Sequence, residues 1–391
     1  MRIVRPDAAP VGYYPADFEL GHRPALDGLR GIAVLIVLVG HGPIAFLGGG
    51  PGVTVFFTLS GFLITALLLE ERRTNGRVDL SRFYARRALR LLPALAVCLV
   101  AVAIGLTVLE VPLTGVWYAA LYVANLAPAL GARLPYLSHT WSLSLEEQFY
   151  VAWPLTLLLL ARIRRPWAVA AVTGAGVVVC AALRVVVDRD ALLTQAQAIQ
   201  VAFHALWRAD ALLVGCLLAL VLGPALRLSR TLVAWAAAAG VATVVAATLQ
   251  ARSDLYYSLW ITAVPLATAA LVVWALSVDN RFSRALTWRP LRYTGRISYG
   301  LYLWHFPIFV LLRPELEGLP AVVEIAVGTA ISFVVASVSF FVVERPFLRL
   351  KHRFEPRRDA VVVRPAASRV AGGRPVRGAV LVDETPARRA V

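Results

Sequence analysis

The chain of 391 residues has few charged residues, and it contains only three cysteines, one lysine and one methionine. Only 16% of its residues are Asp, Glu, Lys or Arg, whereas 59% are hydrophobic and the mean hydropathy is +0.71. Soluble domains carry about 25% charged residues. The shortage of charge therefore excludes a soluble enzyme and predicts a polytopic membrane protein.

The scarcity of cysteine excludes further classes. Cys98, Cys180 and Cys216 all lie in apolar segments, so we interpret them as buried thiols and expect neither a disulfide framework nor a metal site. The net charge of +16 is typical of nucleic-acid-binding proteins. Here the basic residues fall in short loops between apolar runs, where membrane orientation accounts for them, and we expect no nucleic-acid partner.

Long apolar runs dominate what is present, and they predict an all-α, polytopic integral membrane protein. About ten transmembrane helices can be drawn, at roughly 30–48, 52–69, 93–111, 147–161, 167–184, 203–222, 231–249, 256–277, 297–313 and 321–343. The segment 114–130 is either an eleventh span or a re-entrant piece. Ten spans with both termini cytoplasmic place 32 of the 39 basic residues on the inside. The positive-inside rule thus favours an outward-facing or re-entrant 112–146.

Three regions follow from this pattern. Residues 1–25 form a polar, cytoplasmic segment without a signal-peptide cleavage site, and residues 26–350 form the membrane domain. Residues 351–391 are basic, rich in Pro and Gly, and aperiodic. We expect this cytoplasmic tail to be disordered and to contact anionic lipid. No internal repeat is evident, which disfavours a secondary transporter.

One histidine stands in an otherwise uncharged stretch. No Asp, Glu, Lys or Arg occurs from Gly31 to Leu69, and a glycine-rich break at 48–52 predicts a transmembrane helical hairpin. Eleven residues of helix rise about 16 Å and turn about three times, so Arg30 and His41 share a face, with His41 past mid-bilayer. An intramembrane imidazole points to function, here as a general base, because it is costly to bury. A structural hydrogen-bonding role is the alternative.

An arginine cluster precedes the predicted third span. Arg82, Arg86 and Arg90 repeat every fourth residue of a cytoplasmic helix, with Arg87 beside them and Pro93 opening the span. The cluster is either a topogenic, lipid-contacting group or a phosphate site for a donor near Arg30, since guanidinium groups bind phosphate in bidentate fashion.

Paired carboxylates open the predicted fourth span, in the run 139–150 that also contains Trp141. Ser144 and Glu147 fit a capping box, which accounts for Glu147 but gives no role to Glu146. Two carboxylates at a membrane-embedded helix start exceed what capping needs, so one is a candidate to bind or orient a hydroxylic acceptor. We place Glu146 with His41 as catalytic candidates and Glu147 and Trp141 as supporting residues.

Two further groups lie inside predicted spans. Arg208 and Asp210, two positions apart, point about 200° from each other, so each needs a partner on another helix. We expect a structural inter-helix pair, with Arg208 contacting Glu146 or Glu147. Tyr302 and His305 share a helix face with Ser298, and His305 is a second mid-span imidazole; interfacial anchoring is the alternative for the aromatic residue.

Taken together, these runs resemble the membrane-bound acyltransferase 3 family. The motifs occur in order over residues 22–350: LDGLRG at 26–31 with His41, FFTLSGFLI at 56–64, FYARRALRxxP at 83–93, TWSLSLEEQFY at 140–150, RAD at 208–210, ISYGLYLWH at 297–305 and VERPF at 343–347. The resemblance implies an integral-membrane O-acyltransferase with ten helices. It would move an acyl group, often acetyl, from cytoplasmic acyl-coenzyme A to a hydroxyl of an acceptor.

By the same resemblance, Arg30, His41, Arg87 and Arg90 match the family's functional positions, and we add Arg86 to the donor-binding set. We expect the acceptor to be a cell-envelope glycan or glycolipid reached from the outer side. A small secondary metabolite is the alternative acceptor, and a glycan or lipid transporter is the alternative class. Some family members carry a hydrolase-like domain after the last span; this sequence has none, so we expect no second transfer step on a fused domain.

Overall fold

The computed structural model describes residues 21–44, 46–160, 162, 166–191, 205–222, 229–250, 259–277 and 281–354. These residues are helical with connecting turns, and no strand occurs among them. The predicted all-α class is therefore confirmed. The predicted behaviour of the N-terminal segment and of the basic tail concerns residues that lie largely outside these ranges.

The longer helices, in chain order, form the framework of the molecule. They are α1 (Pro24–Gly40), α2 (Gly50–Asn75), α3 (Leu80–Val108), α4 (Thr114–Ala120), α5 (Trp141–Leu160), α6 (Pro166–Ala191), α7 (Ala205–Val221), α8 (Arg230–Leu249), α9 (Ile261–Ser277), α10 (Arg281–Leu286), α11 (Arg289–Arg296), α12 (Ser298–Leu316), α13 (Ala321–Ser339) and α14 (Arg345–Leu350). A π-helical turn, Phe340–Glu344, joins α13 to α14.

Four helical stretches are long and apolar enough to cross a membrane by length and composition: Gly50–Asn75, Leu80–Val108, Arg230–Leu249 and Ala321–Leu350. Two shorter apolar helices, Trp167–Leu183 and Ile261–Leu276, accompany them. The chain is thus a multi-pass membrane protein. The count of about ten crossings stays a prediction.

The predicted α1–α2 hairpin is present, with its first helix displaced along the sequence. Helix α1 begins at Pro24, where a proline in the first turn and the nearby Asp27 favour a helix start. It ends at Gly40, so the predicted limits of 30 and 48 are both too late. Gly40 is required by the turn, because a Cβ there would lie 2.0 Å from the backbone nitrogen of Gly49. His41 is the C-cap residue.

Helix α3 differs from its prediction. A separate cytoplasmic helix followed by a span opening at Pro93 was expected, yet Leu80–Val108 is one continuous helix with Pro93 inside it. Asp79 caps its start by accepting a hydrogen bond from the Arg82 backbone N–H at 3.0 Å. The arginines of its first turns therefore continue rigidly into the apolar part of the helix.

The segment between α3 and α5 folds back onto α5. It contains the seven-residue helix α4 and three single turns of 3₁₀ helix, all too short to cross a bilayer. Ser144 accepts a hydrogen bond from the Ala124 N–H at 3.1 Å, and the Gln148 side chain bonds the Tyr122 carbonyl at 2.9 Å and the Asn125 side chain at 3.0 Å. These contacts favour the re-entrant alternative over an eleventh helical span.

Helix α2 is the buried centre of the bundle and packs on α7 through glycines. A Cβ at Gly61 would lie 1.9 Å from the Leu212 carbonyl oxygen, and one at Gly215 would lie 2.0 Å from that of Thr58. Small residues let helix backbones approach in membrane proteins, where packing rather than water exclusion drives association. Cys216 and Cys98 are buried as predicted, whereas Cys180 is partly exposed.

Gly61→Ala tests this close approach. We expect the free energy of unfolding to fall by about 1–3 kcal/mol, because the added methyl meets a backbone carbonyl that cannot move aside. Gly105→Ala is the matched control: a Cβ added to this helical glycine would meet no atom within 4 Å, so a gain of about 0.5–1 kcal/mol is expected. Thermal unfolding in detergent measures both. Equal changes in Tm would contradict the packing argument.

Candidate active site

A large cavity lies among α1, α2, α3, α5 and α12, with about 790 Å³ of space including the open solvent at its mouth. Its walls are mixed, and the residues that line it are Arg30, Val53, Phe56, Phe57, Ser60, Arg87, Arg90, Leu91, Tyr122, Ser142, Leu143, Glu146, Glu147, Tyr150, Ser298, Tyr299 and Tyr302.

A bidentate ion pair forms one wall of this large cavity. The Arg87 guanidinium donates to both carboxylate oxygens of Glu147, with its Nε 3.1 Å from Oε2. The same guanidinium lies over the Tyr150 ring, 3.1 Å from the ring centroid. Glu147 is therefore a partner of α3. The predicted capping box is wrong, because Ser144 and Glu147 lie inside α5, which begins at Trp141.

Arg30 and Arg90 face the same cavity without such a partner. Within the described part of the chain, neither makes an ion pair or hydrogen bond, and Arg90 is exposed to the cavity opening. The two guanidinium groups repel each other, while the carboxylates of Glu146 and Glu344 act on Arg90 only through space. Two like charges held together in this way favour an anionic ligand.

Arg86 was predicted with these residues and is placed elsewhere. Its guanidinium pairs with Glu71 at 3.0 Å and donates to the Phe354 carbonyl oxygen at 2.7 Å. Glu71 also accepts from the Asp79 backbone N–H. Arg86 thus fastens the α2–α3 turn to the end of the membrane domain and does not line the large cavity.

Glu146 holds two hydroxyl groups in the cavity wall. Ser60 donates to its Oε1 at 2.5 Å and Tyr150 donates to the same oxygen at 2.8 Å. The carboxylate lies in the second turn of α5, so the prediction that it opens the helix is wrong by about five residues. Glu146 lines the same cavity as Arg30 and Arg90, the predicted donor arginines, and not the surroundings of His41, with which it was predicted to act.

Tyr302 closes the end of the large cavity remote from Arg90 along α12. Its hydroxyl lies 2.5 Å from that of Ser142 and donates to the His139 carbonyl at 2.9 Å. Behind it, the buried imidazoles of His139 and His305 pack against each other, 5.3 Å between ring centroids. Neither ring nitrogen of His139 makes a hydrogen bond of normal geometry.

Tyr302, His139 and His305 form a barrier at this end of the large cavity. His41 lies on the other side of this barrier. Its Nδ1 is 2.8 Å from the Val37 carbonyl oxygen and 3.3 Å from Nε2 of His305. A carbonyl only accepts hydrogen bonds, so Nδ1 carries the proton and Nε2 is the basic nitrogen. His305 likewise donates from Nδ1 to the Tyr302 carbonyl at 2.7 Å, which leaves its Nε2 to accept from His41.

His41 does not line the large cavity, although it was predicted to share a helix face with Arg30. It lines a separate cleft of about 290 Å³ with Pro43, Phe309, Leu312, Arg313, Leu316, Glu324 and Gly328. Arg30 lies in α1 and His41 caps that helix, but they line different cavities, with Tyr302 and His305 between them. No group of His, Cys, Asp and Glu within the described ranges has a metal-binding arrangement.

The remaining predicted residues form a supporting layer. Arg208 donates to the Thr54 hydroxyl at 3.1 Å and lies 5.4 Å from the Trp141 ring, so its predicted pairing with Glu146 or Glu147 is wrong. Asp210 accepts from the backbone N–H of Ala211 at 2.8 Å. Both are buried and neither lines a cavity described above.

Several site residues escaped the sequence reasoning. Ser60, Tyr122, Tyr150 and Tyr299 line the large cavity, and His139 lies in the barrier. A signal existed for Tyr150, which follows Glu146 by four residues and so shares its helix face. A hydroxyl in an apolar run, such as Ser60, carries no such signal, because most bond their own helix backbone.

Arg87→Ala tests the ion pair at the cavity wall. It leaves Glu147 without its partner, so we expect the free energy of unfolding to fall by on the order of 3 kcal/mol. This is the lower end of the range for breaking a buried ion pair, because both side chains are about one-fifth exposed. Arg90→Ala removes an unpaired cation and should change stability little. The double variant Arg87→Ala/Glu147→Gln should regain part of the loss in thermal unfolding. Equal losses for the two arginine variants would contradict the assignment.

Comparison with known proteins identifies the family of the chain. A protein-family model described as an acyltransferase domain matches residues 23–342. Bacillus subtilis YrhL, to which peptidoglycan O-acetyltransferase activity is ascribed, is 30% identical over 361 residues, 83% of this chain and 55% of that protein. The peptidoglycan O-acetyltransferase OatA of Listeria monocytogenes is 29% identical over 349 residues, with the same coverage.

The O-acetyltransferase OatA of Staphylococcus aureus is 28% identical over 348 residues, 83% of this chain and 57% of that protein. The chain thus spans little more than half the length of these curated relatives. No solved structure matches it. Because the family model covers most of the sequence, the chain belongs to the acyltransferase 3 family.

Proposed function

We propose that the protein is a membrane O-acyltransferase that moves an acetyl group from acetyl-coenzyme A to a hydroxyl of a cell-envelope glycan. The observation that carries the proposal is the arrangement along α1, where an anion-attracting cavity lies at Arg30 and an oriented imidazole lies at His41. Family membership and the names of the three relatives support acyl transfer to a glycan over the transporter alternative and over a small-metabolite acceptor.

The donor is assigned to the large cavity. Coenzyme A is rich in phosphate, and of the three arginines that line the large cavity, Arg30 and Arg90 are those without a contacting carboxylate. Arg87 holds Glu147 and Tyr150 in place, so we give it a positioning role. The Arg86 guanidinium already bonds Glu71 and the Phe354 carbonyl, so we do not assign it to the donor site.

His41 is the general base of the proposed reaction. Its Nε2 takes the proton of the acceptor hydroxyl, and the oxygen attacks the thioester carbonyl carbon. The carbon–sulfur bond breaks, the thiolate takes a proton from the imidazolium, and the products are the ester and free coenzyme A. The Val37 carbonyl fixes the tautomer, while His305 stabilises the protonated ring through Nε2.

Glu146 is proposed to shape the donor side rather than to receive the acceptor. It keeps the hydroxyls of Ser60 and Tyr150 in the wall beside Arg90. Arg208, Asp210 and Trp141 support α2 and α5 behind this wall. The positive-inside pattern supports a cytoplasmic location for both termini and for the arginine-lined opening.

Arg30→Ala and Arg90→Ala test the donor site. Each should raise the KM for acetyl-coenzyme A about tenfold or more with a smaller change in kcat, because phosphate contacts act in both the ground and transition states. Arg82→Ala is the control, since Arg82 lies on the same helix, pairs with Asp79 and does not line the cavity. An unchanged KM for acetyl-coenzyme A in purified, folded variants would mean that the arginine cluster only orients the protein in the membrane.

His41→Ala tests the base. We expect kcat to fall by about 10²–10⁴-fold, the usual contribution of general-base catalysis, with donor affinity unchanged because His41 is outside the large cavity. His22→Ala, which alters an exposed imidazole paired with Asp27, should leave kcat unchanged. Acetyl transfer by reconstituted protein is the measurement. Wild-type turnover in His41→Ala would overturn the assignment.

A further inference from the structure

We infer that the imidazole N–H of His139 binds the carbonyl oxygen of the donor thioester and stabilises the negative charge that develops there during transfer. This inference rests on the proposed function, because the thioester belongs to the donor of that reaction. His139 has no part in the reaction as described above, although it lies in the barrier between the large cavity and the cleft of His41.

His139 is a buried imidazole without a hydrogen-bond partner. The residue is 3% exposed, and neither ring nitrogen makes a hydrogen bond, although the Leu303 carbonyl lies close to the ring. The other histidine of the barrier differs, because His305 donates to the Tyr302 carbonyl at 2.7 Å and its Nε2 lies 3.3 Å from Nδ1 of His41. Burying an unpartnered polar group is unfavourable, and folded proteins pair nearly all of them. An unpartnered group beside a reaction site is therefore a candidate to bind substrate.

Four rings place His139 on the route of the donor. The His139 ring stacks on Phe306 with 5.0 Å between centroids, and Phe306 lies edge-on to His41 at 5.2 Å. His305 completes the group, 5.3 Å from His139 and 4.9 Å from His41. The His139 backbone carbonyl accepts from the hydroxyl of Tyr302, which lines the large cavity. A thioester that enters from this cavity toward His41 would therefore pass the His139 ring.

The surroundings of His139 favour a neutral imidazole. Within the described ranges no carboxylate forms an ion pair with it, and its neighbours are the rings of Tyr302, His305 and Phe306. An isolated charge in such surroundings is strongly unfavourable. A neutral imidazole carries one N–H and one lone pair, and no hydrogen bond fixes which nitrogen of His139 holds the proton. Either nitrogen can thus present an N–H to a carbonyl oxygen.

His139 acts in the transfer step as a hydrogen-bond donor. As the acceptor oxygen attacks the thioester carbon, the π electron pair of the carbonyl moves onto its oxygen, to which the His139 N–H is bonded. The pair returns when the carbon–sulfur bond breaks, and the thiolate takes the proton from the His41 imidazolium. His139 keeps its own proton throughout. A donor that is fixed in a site without water stabilises such a charge far more than water does.

His139→Leu tests this role, because it removes the N–H and fills a similar volume. We expect kcat for acetyl transfer to fall about 10²–10³-fold, as for loss of one donor to an oxyanion, with the KM for acetyl-coenzyme A changed less than about threefold. We expect Tm in detergent to stay equal or to rise, since an apolar group replaces an unpartnered buried one. A structural role would instead lower Tm together with activity.

Conservative variants and a matched control accompany this substitution. His139→Asn and His139→Gln keep an N–H near the positions of Nδ1 and Nε2 of the ring, and we expect at least one of them to exceed the kcat of His139→Leu by about tenfold. His305→Leu is the control, because it changes an imidazole of the same barrier that has hydrogen-bond partners. Its Tm should fall, in contrast to that of His139→Leu.

Binding without turnover gives a second readout. Acetyl-coenzyme A with an isotope label at the carbonyl carbon is bound to the purified protein without acceptor, and infrared spectroscopy measures the stretching frequency of that carbonyl. A hydrogen bond weakens the carbonyl bond. We therefore expect a lower frequency in wild type than in His139→Leu.

The outcomes separate this inference from the proposed function. Wild-type kcat in His139→Leu, a fall in its Tm that accompanies lost activity, or the same carbonyl frequency in both proteins overturns the role of His139. Failure of both His139→Asn and His139→Gln to regain activity also counts against it. A frequency shift that depends on His139, in a wild type that transfers no acetyl group to a glycan, would support the contact and count against the proposed function alone.

Discussion

The bidentate contact between Arg87 and Glu147 organises the interior of this membrane protein. Both groups are four-fifths removed from solvent, where separate charges would be strongly unfavourable, so each requires the other. The contact joins α3 to α5, and the Arg87 guanidinium lies over the Tyr150 ring. With Glu147 so engaged, Glu146 on the next position turns to Ser60 and Tyr150, and Arg90 one turn further along α3 remains available to a ligand.

Sequence patterns predicted what depends on local periodicity and on the cost of burying charge. The α1–α2 hairpin and the all-helical class follow from apolar runs and breaks along the chain, and the placement of Arg87 and Arg90 on one helix follows from their spacing. The meeting of Arg30, Arg90 and Glu146 from three helices in one cavity was not predicted. Partners between helices were not predictable: Arg208 meets Thr54 rather than a glutamate, because helix contacts depend on three-dimensional register that no local pattern encodes. Pro93 did not end a helix, since a bundle can satisfy the backbone carbonyl that proline leaves without a partner.

The division into two cavities changes how the reaction must be pictured. In the proposed reaction the thioester of the donor must reach from the cavity at Arg30 to His41, but Tyr302, His139 and His305 lie across that route. Their contacts are a few hydrogen bonds and ring packings rather than a continuous hydrophobic core. Such contacts can be exchanged for contacts to a thioester arm at modest energetic cost, so donor entry and opening of the barrier are expected to be coupled.

That barrier also bears on the electrical integrity of the cell membrane. A water-filled passage lined by Arg30 and Arg90 at one end and by Arg313 at the other would conduct small anions, and the membrane potential would drive them at about 2.3 kcal/mol per charge per 100 mV. The rings of His139 and His305 are buried and the Tyr302 hydroxyl donates to the His139 carbonyl, so a passage through this point would require these side chains to move. In the proposed reaction, these side chains would keep the membrane insulating between turnovers.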